Sequence, residues 1–119
     1  MRGDVGFRVM LVVDPRTKGL LEALAHLRMF VRGDQVAVQL RMKDASDSDR
    51  IAASRLLAPV LPIDARLIVN ESLAVARAIA AEGVHLPEAG GPVADARAVL
   101  AGGALVGCSV HDAAGVERR

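Results

Sequence analysis

Five short apolar runs alternate with longer stretches of helical periodicity along the chain. The runs are rich in Val and Leu, and the first three end abruptly at a charged or amide residue. Short apolar runs bounded by polar residues are typical of buried β-strands. The predicted strands cover residues 8–14, 35–41, 66–71, 83–86 and 104–110.

The segments between these strands carry apolar residues three and four positions apart, as on one face of a helix. The predicted helices cover residues 19–31, 46–60, 72–82 and 92–101. Ser46 with Asp49 resembles a capping box, and Pro92 lies near the first turn of the last helix. The tail 113–119 is too short for us to expect a finished helix there.

Alternating strands and helices predict an α/β fold with parallel strands. Two architectures remain open, a doubly wound sheet and a (β/α) barrel, and both place chemistry at the carboxyl ends of the strands. Neither a G-x-G-x-x-G fingerprint nor a Walker loop occurs in the sequence. The periodicity alone favours an open sheet of five strands.

Composition narrows the class of protein. A chain of 119 residues forms one domain, and 52% apolar with 2% aromatic residues predicts a core of Val, Leu, Ile and Ala. So few aromatic side chains argue against nucleic-acid binding by base stacking. A net charge of +1 implies neither a DNA-binding nor a membrane-binding surface.

Cysteine use and hydropathy indicate a cytoplasmic protein. Cys108 is the only cysteine, so the chain forms no internal disulfide and offers no thiolate metal site. Arg2, Asp4 and Arg8 interrupt any early apolar run, so we expect no signal peptide. No run approaches the roughly 18 apolar residues of a membrane span.

Gln39, Arg41 and Lys43 alternate at the end of the second predicted strand. Alternate strand residues point the same way, so the amide, the guanidinium and the ammonium converge. Two cations aimed into one cleft repel each other unless an anion lies between them, and a phosphate or carboxylate is the natural occupant. The alternative is a strand that simply runs out into solvent.

The later strand ends carry further candidates. Asn70 and Glu71 could hold a substrate hydroxyl, or Glu71 could balance Arg41; alternatively Asn70 or Ser72 only caps the next helix. His111 follows the fifth strand, where an imidazole can move protons near neutral pH, or it starts a helix beside Asp112.

Two other polar residues have a plainer interpretation. His85 lies between apolar neighbours within the fourth strand, which favours a neutral histidine of the core over a catalytic one. Glu88, just past that strand, is typical of a loop surface when it is taken alone.

Four motifs together resemble the thiamine-phosphate synthase/TenI superfamily: 39-QLRMK-43, 68-IVN-70, 83-GVHLPE-88 and 107-GCSVH-111. The resemblance implies a (β/α) barrel of the TIM-barrel type with the active site at the carboxyl ends of the strands. About five βα units are present, so residues 1–119 would form a single partial (β/α)-barrel domain lacking strands six to eight. Its unpaired edges would pair with a second copy, as a homo-oligomer, or with a complementing half-barrel.

The family resembled has two activities. The synthase, a transferase, joins a pyrimidine methyl pyrophosphate to a thiazole phosphate, with Mg²⁺. The TenI-type branch, an isomerase, is a thiazole tautomerase that transfers a proton on a thiazole carboxylate phosphate without metal. The resemblance therefore implies a small phosphorylated thiazole or pyrimidine ligand, and no cofactor unless the chain is a synthase.

Matching the motifs residue by residue favours the tautomerase branch. The Q-x-R-x-K motif holds pyrophosphate in the synthase, but Glu71 stands in place of a metal-binding Asp, and residues 87–90 lack the second one. The resemblance implies His111 as the acid/base. The expected substrate-binding residues are Gln39, Arg41, Lys43, Asn70, Glu71 and Ser109. The alternatives are thiamine-phosphate synthase and a non-catalytic, phosphate-ligand-binding or regulatory half-barrel.

Overall fold

The computed structural model describes residues 6–100 and 102–118, in which strands and helices alternate. The strands are β1 (Val9–Val13), β2 (Val36–Leu40), β3 (Arg66–Asn70), β4 (Gly83–Leu86) and β5 (Leu105–Cys108). The helices are α1 (Leu20–Leu27), α2 (Asp47–Leu57), α3 (Leu73–Ala78), α4 (Val93–Val99) and α5 (Ala113–Arg118). Two expectations concern residues outside this description. The signal-peptide expectation rests partly on Arg2 and Asp4, and the predicted fourth helix includes residue 101.

Side-chain caps fix where two of the helices begin. The Ser46 hydroxyl accepts a hydrogen bond from the Asp49 amide at 3.0 Å, as the capping-box pattern predicts. The Ser72 hydroxyl likewise accepts from the Val75 amide at 3.1 Å, so Ser72 caps α3. These caps place both helices directly behind the carboxyl ends of the preceding strands.

The chain after β5 differs from the sequence-based expectation. Residues Ala113–Arg118 form α5, a helix of 6 residues, in the tail that the sequence analysis described as too short for a finished helix. The Asp112 carboxylate accepts a hydrogen bond from the Gly115 amide at 2.7 Å, which satisfies a backbone donor of the first turn.

Strand order decides between the two architectures. All neighbouring strands pair in parallel in the order β1-β2-β3-β4-β5, without the reversal of a doubly wound sheet. Successive right-handed crossovers in one direction place the helices on one side of the sheet. The fold is therefore a five-unit portion of a (β/α) barrel, as the motif resemblance implied, and not the open doubly wound sheet.

Helices α1 to α4 cover one face of this sheet with aliphatic side chains. The largest fully buried residues are Leu40, Leu57, Val38, Val69, Val75 and Val84. Because side chains alternate along a strand, the opposite face presents Gln39, Asn70 and His85. We call it the open face.

The outer strand β1 is poorly covered. Val9 and Val12 are 52% and 58% exposed, and β1 pairs with β2 alone in the part of the chain that the structure describes. Unpaired strand edges favour pairing with another chain. Pairing with a second copy or a complementing half-barrel stays a prediction. No helix within 6–100 and 102–118 combines the length and the apolar character that crossing a bilayer requires.

Candidate functional site

A cavity of about 350 Å³ opens where β2 and β3 end. It is lined by Arg41, Met42, Lys43, Asp44, Arg50, Asn70 and Glu71. The parallel pairing of β2 with β3 brings these strand ends side by side. The structure thus gathers four of the predicted site residues, Arg41, Lys43, Asn70 and Glu71, around one space, which we call the cation cavity.

Two cations of the cation cavity are unengaged. Among the described residues, the side chains of Arg41 and Lys43 make no hydrogen bond or ion pair, and both are exposed. Arg50, in contrast, donates to the Met42 carbonyl at 3.1 Å. Within the described residues, Glu71 forms no ion pair with Arg41, so the alternative in which Glu71 balances Arg41 is not seen. Arg41 and Lys43 are therefore available to an anionic ligand.

The backbone at the mouth of this cavity has an uncommon conformation. Asp44 and Glu71 have φ values of 63° and 71°, in the left-handed region that non-glycine residues seldom adopt. Such residues cost about 1–3 kcal/mol each and cluster where ligands bind. The Glu71 amide donates to the His85 carbonyl at 2.7 Å, which holds the end of β3 against β4.

Gln39 lies behind the cavity and not in it. Its side chain is buried, and its Oε1 accepts a hydrogen bond from Asn70 Nδ2 at 2.9 Å. Its own amide nitrogen donates to the Met10 sulfur at 3.2 Å. Gln39 therefore orients the Asn70 amide. Its direct contact with substrate stays a prediction.

His85 lies on the open face and contacts Ser109. Its Nε2 is 2.8 Å from the Ser109 hydroxyl oxygen, and partial burial lowers the pKa of the imidazole. Sequence reasoning assigned His85 to the core, although strand alternation places it on the same face as Asn70. That alternation, with Gly107 opposite the ring, was the available signal.

His111 lies apart from the cation cavity. Its side chain is 76% exposed, and its Nδ1 pairs with the Glu88 carboxylate. The other oxygen of Glu88 accepts from the Arg118 guanidinium at 3.0 Å. Glu88, expected as ordinary loop surface, joins the segment after β4 to the region after β5. The structure does not bring His111 together with Arg41 and Lys43.

The model of the family described as thiamine monophosphate synthase matches residues 9–119. The chain belongs to this family. It is 38% identical over 105 residues to the thiamine-phosphate synthase of Xanthobacter autotrophicus, covering 87% of this chain and 50% of that protein. It is 33% identical over 106 residues to the Chlamydia caviae thiamine-phosphate synthase, covering 88% and 50%.

A solved structure has the same fold. The thiamine phosphate pyrophosphorylase from Pyrococcus furiosus superimposes with a TM-score of 0.70 at 23% identity, over 95% of this chain and 55% of that one. The chain spans about half the length of the curated relatives it matches. These relatives carry the name of the synthase, which the motif comparison had placed second to the tautomerase.

The cation cavity of this family member does not fit a resident metal site. Within residues 6–100 and 102–118, no group of three or more His, Cys, Asp or Glu side chains converges. Of the residues described, Asp44 and Glu71 are the ones that bring carboxylates to the cavity. Mg²⁺ takes six oxygen ligands and often relies on substrate phosphates for part of them. The described residues alone do not supply a magnesium site.

The pair of Glu88 with His111 predicts a pH effect on stability. The pKa of Glu88 is lowered, chiefly by the hydrogen bond from His111. A carboxyl group with a lower pKa when folded stabilises the protein above its unfolded pKa, and this contribution is lost as pH falls through the folded pKa. We expect Glu88→Gln to flatten the decline in unfolding free energy as the pH falls below the ordinary pKa of a glutamate, roughly 4.3, measured by urea denaturation.

Glu22, exposed on α1, provides the matched control for this change. The Glu22→Gln variant should follow the wild-type pH profile. A Glu88→Gln profile that overlays the wild type would contradict the contribution of the pair.

Proposed function

We propose that this chain forms the phosphate-binding portion of a thiamine-phosphate synthase, and that the cation cavity receives the phosphate or pyrophosphate group of its ligand. The observation that carries the proposal is that Arg41 and Lys43, which have no side-chain partner among the described residues, converge on one cavity of about 350 Å³. Family membership and the names of the relatives support the same class of ligand.

Each side chain has a separate task in this proposal. The planar guanidinium of Arg41 can donate two parallel hydrogen bonds to phosphate oxygens, whereas the Lys43 ammonium acts as a compact charge. Asn70 gives one amide hydrogen to Gln39, which leaves its carbonyl oxygen free to accept from a ligand hydroxyl or amine. Glu71 lines the same cavity.

The position of His111 favours the synthase over the tautomerase. A tautomerase would need its acid/base within reach of the bound ligand, but His111 pairs with Glu88 outside the cation cavity. The assignment of His111 as a proton-transfer residue stays a prediction. The second interpretation is a half-barrel that binds the ligand without turnover. Both interpretations predict the same binding site, so one binding experiment applies to both.

Replacing Arg41 or Lys43 by alanine should weaken binding of pyrophosphate and of thiazole phosphate by about 10- to 100-fold each. The reason is that each cation contributes charge-assisted hydrogen bonds worth roughly 1.5–3 kcal/mol. Isothermal titration calorimetry at low salt measures the affinity, with and without Mg²⁺.

Arg55 on α2 is exposed and does not line the cation cavity, so Arg55→Ala removes the same charge elsewhere. The control variant should bind both ligands about as tightly as the wild type. Equal losses of affinity in Arg41→Ala and Arg55→Ala would indicate general charge attraction and would contradict the proposed site. A gain in affinity with Mg²⁺ would indicate that the bound phosphates complete a metal site.

A further inference from the structure

His85, Gly107 and Ser109 form a contact on the open face, outside the cation cavity. The pairing of β4 with β5 places His85 directly beside Gly107. An added Cβ at Gly107 would lie 2.7 Å from Nδ1 of His85. The imidazole therefore occupies the space that any side chain at position 107 would need.

His85 also pairs with Asn70 in the sheet. The pairing of β3 with β4 sets Asn70 opposite His85, and the Glu71 amide donates to the His85 carbonyl at 2.7 Å. His85 thus stands between two residues predicted to contact the ligand, Asn70 on one side and Ser109 on the other.

The ring is placed to orient a hydroxyl. Burial lowers the pKa of His85, which favours the neutral form of the imidazole. A neutral imidazole has one donor and one acceptor nitrogen. Nε2 at 2.8 Å either donates to the Ser109 oxygen or accepts its proton, and in both cases it limits the rotation of the hydroxyl.

We propose that His85 is a positioning residue that fixes the Ser109 hydroxyl on the open face, and that Gly107 provides the space for its ring. His85 acts on the ligand through Ser109 and not by direct contact. The inference rests on the proposed function only for the identity of the ligand that would contact Ser109.

The first test needs no ligand. The chain has only three histidines, so the ring nitrogens of His26, His85 and His111 can be assigned by nuclear magnetic resonance on ¹⁵N-labelled protein. Ser109→Ala should shift the ring nitrogen resonances of His85 and leave those of His26, on α1, unchanged. Unshifted His85 resonances would overturn the proposal, whether or not the chain binds phosphates.

The second test measures binding of thiazole phosphate by calorimetry. His85→Leu removes the hydrogen bond and should weaken binding about 3- to 10-fold, whereas the amide of His85→Gln can restore it. In a chain that already carries Ser109→Ala, His85→Leu should cost nothing further. Independent, additive losses would refute action through Ser109. If neither thiazole phosphate nor pyrophosphate binds, the proposed function fails, and the resonance test still decides this inference.

Discussion

Replacing Gly33 with alanine is expected to lower the free energy of unfolding by about 3 kcal/mol or more. Its added Cβ would lie 1.6 Å from the Ile63 carbonyl oxygen and 2.8 Å from the Ala65 amide nitrogen. Both are backbone atoms just before β3, so no side-chain rotation relieves the overlap. Gly33 is itself buried, in a 3-10 turn that leads into β2. Urea unfolding followed by circular dichroism measures the loss.

Gly102 provides the matched control, because none of the described residues other than its chain neighbours lies within 4 Å of a Cβ at that position. Gly102→Ala should change the stability by less than about 0.5 kcal/mol. Similar stabilities for the two variants would show that the segment before β3 does not approach Gly33 this closely.

The strands could be predicted from sequence because the information that specifies them is local. β2 is buried at all five positions, and the sequence shows it as an apolar run that contains one polar residue, Gln39, and ends at Arg41. The order of the strands in the sheet could not be predicted from local sequence. It depends on pairing between segments far apart in the chain, so periodicity favoured an open sheet and only the family resemblance indicated a barrel.

The ends of the helices were harder to predict from the sequence than the strands, because the local sequence marks them weakly. The spacing that predicted a helix over residues 19–31 includes Phe30, yet α1 ends at Leu27 and Phe30 is 78% exposed. The predicted helix 72–82 ends early, at Ala78, and Ala80 then takes a φ of 51°. No glycine or proline marks either end, so the sequence lacks the strongest signals for the end of a helix.

The cation cavity follows from a general property of parallel sheets, whereas its surroundings do not. Arg41, Lys43 and Asn70 end adjacent strands, and adjacent parallel strands must place their ends side by side. The burial of Gln39 depends on contacts with distant residues, and the position of His111 depends on a loop carboxylate from Glu88. Spacing along the chain does not encode such contacts.

The cation cavity also depends on the core beneath it, because α2 follows directly from the loop that carries Lys43. Leu57, near the end of α2, is fully buried and packs in the same cluster as Val38 and Leu40 of β2. Helix and strand are therefore joined below the cavity by aliphatic contacts. Truncating this side chain tests the stability of the fold without removing a charge from the site.

Leu57→Ala should reduce the free energy of unfolding by about 2–5 kcal/mol, through lost transfer free energy and the space left behind. The neighbouring Leu56 is 63% exposed, so Leu56→Ala makes the same chemical change at the surface and should cost less than about 0.5 kcal/mol. Urea denaturation of both variants measures the difference. Equal losses would contradict the packing of α2 on β2, because they would show that the burial of Leu57 contributes nothing beyond the change of residue type. Pyrophosphate affinity of the Leu57→Ala protein, measured where it is still folded, should stay near the wild-type value, since Arg41 and Lys43 are unchanged.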